Sequence, residues 1–176
     1  ASTRVAETAN GAGNSEVFSD SQGVLFCDIA ANSDDGTYRF LSVSAGAYAN
    51  SIRIGYFNTS NTIEFRVVAG GLPQTQPTHT LSNSTIPTKI AGKYKANDFS
   101  LFVNGFKVDT DTSGITPSGL NKLSFSDLDT NDFYGKTKEI GYYDTILTDL
   151  ELETLTSYKS WTSMVNELNL NIIYNG

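Results

Sequence analysis

Asp127-Leu128-Asp129-Thr130-Asn131 sets oxygen-bearing side chains at alternate positions, the spacing with which a calcium loop begins. An EF-hand would continue with glycine at its sixth position and glutamate at its twelfth, and Asp132 and Lys138 stand there instead. Two readings remain for Asp127, Asp129 and Asn131: a lectin-type calcium site built from several loops, or a solvated loop between two strands. Asp111-Thr112-Ser113-Gly114 spells the aspartic-protease motif, but that chemistry needs a second such aspartate from another lobe. The four residues follow a hairpin strand and favour turns, so they read as a polar turn. His79 is the sole histidine and lies among Pro and Thr with no cysteine beside it, which makes it a surface histidine rather than a ligand or base. Cys27, in Val24-Leu25-Phe26-Cys27-Asp28-Ile29, reads as a small buried hydrophobe, and a single cysteine leaves no intrachain disulfide.

If the loops bind a glycan, their side chains must supply the contacts. Glycans are gripped by exposed aromatic faces and by amide or carboxylate groups on loops held by a rigid scaffold. The polar turn Asn32-Ser33-Asp34-Asp35-Gly36 supplies Asn32, Asp34 and Asp35, and Tyr48 and Asn50 follow beyond the next strand. These five are the glycan-binding candidates, and an ordinary solvated hairpin is the alternative for each.

The elements that must position them read as strands. Asn104-Gly105 is a two-residue turn of the type I′ kind, and Phe99, Leu101 and Val103 before it share one face. Strand segments recur at 23–30, 37–44, 51–57, 62–69, 88–95, 98–103, 106–109, 121–126 and 134–143. Ile52, Ile54 and Tyr56 line one face of the third, and Ile63, Phe65 and Val67 one face of the fourth, in alternation with polar or charged residues. Asn58-Thr59-Ser60-Asn61 is a hairpin loop between these two. Residues 70–87 hold Pro73, Pro77, Pro87 and Gly70-Gly71, which predicts a loop or an irregular edge.

Helical signals gather near the C-terminus. Thr148-Asp149-Leu150-Glu151 fits a capping box, flanked by Leu147 and Leu152 as a hydrophobic staple, and predicts a helix over about 149–157. Trp161, Met164, Val165 and Leu168 behind Ser160 have the spacing of a second helix, with Trp161 read as a packing residue. The expected organisation is one sandwich over residues 1–158 and a helical tail over 159–176, packed on the domain or on a partner.

Composition excludes several functions. The chain of 176 residues carries a formal net charge of −7, and its densest basic stretch is Lys89, Lys93 and Lys95, so no nucleic-acid partner is expected. No apolar run approaches the ~20 residues that cross a bilayer as a helix, so no membrane insertion is expected.

The hairpin, with its strand ending in Val103-Asn104-Gly105, and the later run from Phe133-Tyr134-Gly135-Lys136 through Ile140, Tyr143-Asp144, Leu147-Thr148-Asp149 and Glu151-Leu152 together resemble the concanavalin A-like, laminin-G-like jelly-roll superfamily. The resemblance covers roughly residues 15 to 157 and implies an all-β, two-sheet antiparallel jelly-roll sandwich with short C-terminal helices. More narrowly, Ser2–Gly13, Gly23–Phe26 and the Lys93–Gly114 block are similar to laminin-G-like domains of bacteriophage tail fibres and other virion proteins. That implies a non-enzymatic virion domain that contacts a host cell-surface glycan or receptor and other virion proteins, exposed on the particle and forming a homotrimer. A structural assembly module, or a secreted bacterial lectin-like module, is the alternative. The hydrolase branch of the superfamily carries its carboxylates as Glu-x-Asp-x-(x)-Glu on one strand, whereas Glu139 has Thr137 and Gly141 at two-residue spacing, which argues against a glycoside hydrolase. No cofactor is expected, calcium excepted.

Overall fold

Alternation along the strands builds two sheets with one shared interior. A computed structural model describes residues 12–129 and 131–158, so the second helix and the 159–176 tail lie outside the described residues. In chain order the elements are β1 (Gln22–Ala31), β2 (Arg39–Ser44), β3 (Ser51–Tyr56), β4 (Thr62–Ala69), β5 (Leu72–Thr75), β6 (Thr78–Thr80), β7 (Thr88–Lys95), β8 (Phe99–Val103), β9 (Phe106–Asp111), β10 (Lys122–Ser124), β11 (Gly135–Tyr143) and α1 (Asp149–Thr156). One sheet runs β11-β1-β7-β8-β9 and the other β10-β2-β3-β4-β5, with β6 also paired to β4. Every pairing is antiparallel.

Leu25, Cys27 and Ile29 of β1, Ile90 and Tyr94 of β7, and Phe99, Leu101 and Val103 of β8 meet Leu41, Val43, Ile52, Ile54, Ile63, Phe65 and Val67 of the other sheet in one buried core. Period-2 placement makes this automatic, since each strand sends every second side chain inward. Gly92 marks where the layers press closest: a Cβ there would overlap the Phe65 ring. Burial pushes the Cys27 thiol well up, with the Asp28 charge adding to it, so Cys27 packs as a hydrophobe.

The turns follow their chemistry. Asn104 and Gly105 take φ of 49° and 89°, the two positive values a type I′ hairpin requires. Asn61, with φ 53°, closes the β3–β4 loop, where the Phe57 amide donates to the Thr62 carbonyl. The Pro-containing stretch 70–87 forms the irregular edge, since β5 and β6 are two short strands that pair with different halves of β4. Pro73 and Pro77 fit there because an edge strand leaves one row of amides unused. His79 falls on β6 opposite Ile63, half-buried, and burial holds its pKa below the ordinary histidine value.

Helix α1 covers the outer face of the first sheet, with Leu152 buried against Val24, Phe26, Ala91 and Phe102 and with Leu147 beside it. Its capping box is complete: Thr148 Oγ1 accepts from the Glu151 amide and Glu151 Oε2 accepts from the Thr148 amide. The chain reaches α1 by crossing from β10, beside β2, to β11, beside β1. That crossing brings the Asp127 carbonyl to Arg53 on the outer face of the second sheet.

Candidate functional site

The outer face of the second sheet holds charges where solvent-facing small polar residues would be ordinary. Register places Ser124 of β10 opposite Ser42 of β2, Ser42 opposite Arg53 of β3, and Arg53 opposite Arg66 of β4. A second row sets Phe40 against Gly55 and Gly55 against Glu64. These residues alternate with the core set Leu41, Val43, Ile52, Ile54, Phe65 and Val67, so they project away from the sandwich interior.

Loops bury much of this face. All six residues of β2 and of β3 are buried, Arg53 is only 3% exposed and Glu64 is fully enclosed. Tyr48, from the β2–β3 loop, lays its ring over Arg53 with the guanidinium carbon 4.5 Å from the ring centre, and Phe40 lies 5.2 Å from the same carbon. Arg53 Nη1 donates to the Asp127 carbonyl at 3.1 Å. Among the described residues its Nε and Nη2 have no hydrogen-bond partner, and neither do Ser42 Oγ and Ser124 Oγ along the same row.

Arg66 is the more open of the two cations. Its Nη2 donates to Glu64 Oε2 at 2.8 Å, while Nε and Glu64 Oε1 stand 2.7 Å apart as an ion contact without hydrogen-bond geometry. Gln76 Nε2 gives Glu64 Oε2 a further bond of 2.8 Å. Burial, and then the Arg66 charge, push the Arg53 pKa down. Burial, the largest influence, pulls Arg66 the same way, but the bond and charge of Glu64 together with Tyr48 outweigh it and the net shift is upward. Two cations and one carboxylate leave one net positive charge on the face, in a chain of net charge −7.

Like charges directly opposite each other across antiparallel strands destabilise a sheet, and buried donors without partners cost more. The arrangement therefore selects for something other than stability. Chemically it offers a fork of N–H donors, an aromatic plate and a carboxylate acceptor within one patch, which suits a small ligand with one anionic group and several hydroxyl or amide groups.

The candidates read from sequence separate on this frame. The loops that flank β2 lie at opposite ends of that strand, so Asn32, Asp34 and Asp35 do not meet Tyr48 and Asn50. Asp34 accepts from Ser60 Oγ and from the Asn61 amide, tying the β1–β2 loop to the β3–β4 turn. Asp35 holds Arg39 Nη2 through both oxygens at 2.6 Å and accepts from Thr37. Asn32 is an exposed loop residue. Asn50 Oδ1 accepts from the amides of Gly70 and Ser118, both 3.2 Å away, and so fastens two loops. Only Tyr48 joins the arginine face.

Asp127, Asp129 and Asn131 form a self-closing loop. Asp127 Oδ1 accepts from the amides of Asp129 at 3.0 Å and Asn131 at 2.9 Å, and Oδ2 accepts from Asn131 Nδ2 at 2.7 Å. Among the described residues no three His, Cys, Asp or Glu side chains converge as a metal set. What the loop contributes to the face is its Asp127 carbonyl. The arginines and Glu64 were passed over in sequence because they alternate correctly with core residues, which is how solvated positions also look. Their signal was three charges on central strands of a chain with only 18% charged residues.

No protein-family model matches the chain, and no curated protein matches it. Solved structures do. The CBM40 of the Ruminococcus gnavus IT-sialidase bound to α2,3 sialyllactose is similar, with a TM-score of 0.68 at 16% identity over 89% of this chain and 96% of that one. Leech intramolecular trans-sialidase, complexed with 2,7-anhydro-Neu5Ac, has a TM-score of 0.67 at 18% identity over 89% of this chain. The chain spans only 26% of that leech enzyme's length. The native heptameric SAP-like pentraxin of Limulus polyphemus has a TM-score of 0.60 at 12% identity, over 77% of this chain and 70% of that one. At these identities the likeness is one of fold: a two-sheet antiparallel jelly-roll β-sandwich.

Proposed function

We propose that this chain is a non-catalytic glycan-binding module whose outer β2–β3–β4 face takes an acidic sugar of the sialic acid class. The observation that carries the reading is the row Ser124–Ser42–Arg53–Arg66, where Arg53 Nε and Nη2 and the two serine hydroxyls find no hydrogen-bond partner among the described residues, beside an Arg66 held by Glu64. A sugar carboxylate supplies acceptors for Arg53 and Arg66. Glu64, enclosed and bonded by Arg66 and Gln76, holds Arg66 in place, and Tyr48, whose ring covers Arg53, moves aside to admit the sugar. Support from outside the chain is the similar fold of a module whose structure holds α2,3 sialyllactose.

A virion-surface setting would use the same chemistry, since an exposed appendage meets its host through surface glycans. That setting, the partner virion proteins and the trimer rest on the sequence resemblance of residues 2–13, 23–26 and 93–114.

Calorimetric titration tests the reading. The expected result is binding of α2,3-sialyllactose, none of lactose, weakening as salt rises, and loss of at least tenfold in affinity in Arg53→Met. Equal binding of lactose, or undiminished binding by that variant, refutes it.

A further inference from the structure

A second polar hollow lies beside the arginine face. It has a volume of 380 Å³ and is lined by Asp35, Thr37, Tyr38, Arg39, Asn131, Asp132 and Tyr134. Tyr134 is 58% exposed, so its ring is open to a ligand. Tyr38 stacks on Phe40 with ring centres 6.0 Å apart, and Phe40 in turn lies against the Arg53 guanidinium, so an aromatic row runs from the hollow to the arginine face. The loop makes a second link: Asp127, whose carbonyl holds Arg53, is hydrogen-bonded to Asn131, which lines the hollow. Tyr38 stands four residues before Ser42, the register partner of Arg53, which is about 13 Å along an extended strand. That is farther than one sugar ring reaches and well within a short oligosaccharide.

We infer that this hollow is the subsite for the neutral sugars that follow the acidic one, so that the module reads an oligosaccharide and not a terminal monosaccharide alone. The inference rests on the acidic-sugar reading of the arginine face. Tyr134 and Tyr38 supply apolar plates for sugar rings, and Asp132 supplies a hydroxyl acceptor along the rim. Asp35 and Arg39 satisfy one another and act as the wall that shapes it. A neutral partner fits better than a second acidic sugar, since the hollow contains Asp35 and Asp132 against one arginine already paired.

Titration of the full chain with the methyl α-glycoside of N-acetylneuraminic acid and with α2,3-sialyllactose separates the two levels. The expected result is tighter binding of the trisaccharide by about three- to tenfold, the scale of one or two aromatic contacts. Tyr134→Ala should collapse that ratio towards one, and Tyr134→Phe should keep it. Far-UV circular dichroism on both variants checks the fold, and binding of the methyl glycoside by Tyr134→Ala checks that the arginine face is intact. If the wild type binds both probes equally, or if Tyr134→Ala keeps the ratio, the subsite is overturned while the arginine-face reading stands. If the wild type binds neither probe, the arginine-face reading falls and the subsite with it.

Discussion

Replacing Arg53 with methionine should make the protein more stable while it removes binding, the reverse of what substitution of a buried residue ordinarily does. Arg53 is 3% exposed, and its Nε and Nη2 have no hydrogen-bond partner among the described residues. Relieving two buried unsatisfied donors is worth about 1.5 kcal/mol each. Relieving the like charge of Arg66 directly opposite adds about 0.5 kcal/mol. Against this, the bond to the Asp127 carbonyl is lost at a cost of about 1.5 kcal/mol. The cation–π contacts with Tyr48 and Phe40 are lost at about 0.5 to 1 kcal/mol each. A thioether packed against the same two rings recovers about 0.7 kcal/mol of that. The balance favours the variant by about 1 kcal/mol, which for a chain of this size raises Tm by about 2–4 °C. Thermal unfolding followed by circular dichroism, with and without α2,3-sialyllactose, reads both effects. Wild type should gain about 2.7 kcal/mol at a ligand concentration a hundred times Kd, and the variant should gain nothing. A variant that melts below wild type would mean that Arg53 is a structural cation already satisfied in its site, and a ligand shift retained in the variant would move the binding site elsewhere.

Two further outcomes test the frame around the site. Gly92→Ala drives a Cβ into the Phe65 ring between the sheets, and overpacking of this kind costs about 1–3 kcal/mol, so Tm should fall by several degrees; an unchanged Tm would mean that the layers shift apart freely. Burial would raise the Asp127 carboxyl, but the hydrogen bonds from Asn131 and Asp129 outweigh it and hold its pKa below the ordinary aspartate value. A depressed folded-state pKa gives stability that is present above the unfolded value near 4 and lost as pH falls through the lower folded value. The acid limb of a Tm-against-pH curve should therefore begin below about pH 4 and be shallower in Asp127→Asn; identical limbs would show that the loop adds nothing to acid stability.

Local chemistry made the frame legible. The boundaries of β4 and β7 match the segments expected at 62–69 and 88–95, because apolar residues at every second position leave one register that buries them. Asn104-Gly105 and Thr148 with Glu151 were readable for the same reason: each satisfies its own backbone within a few residues. The partners of the loop candidates were not legible, because side chains on neighbouring positions look alike until the fold brings their partners to them. Asp34, Asp35 and Asn50 all turned out to bind amides, hydroxyls or an arginine of the scaffold.

By itself the sequence determined which residues alternate, where the chain turns and where the helix begins, since those are contests between neighbours along the backbone. It also set the charge types that a face could carry. Tertiary structure alone decided that Arg53 stands opposite Arg66 with Ser42 on its other side, that Glu64 is enclosed with them, and that Tyr48 and Asp127 close over the row. Those pairings join residues from β2, β3, β4 and a loop beyond β10, and their meaning comes from burial. An arginine on a strand is unremarkable in water, and burial is what makes the partners of its donors matter.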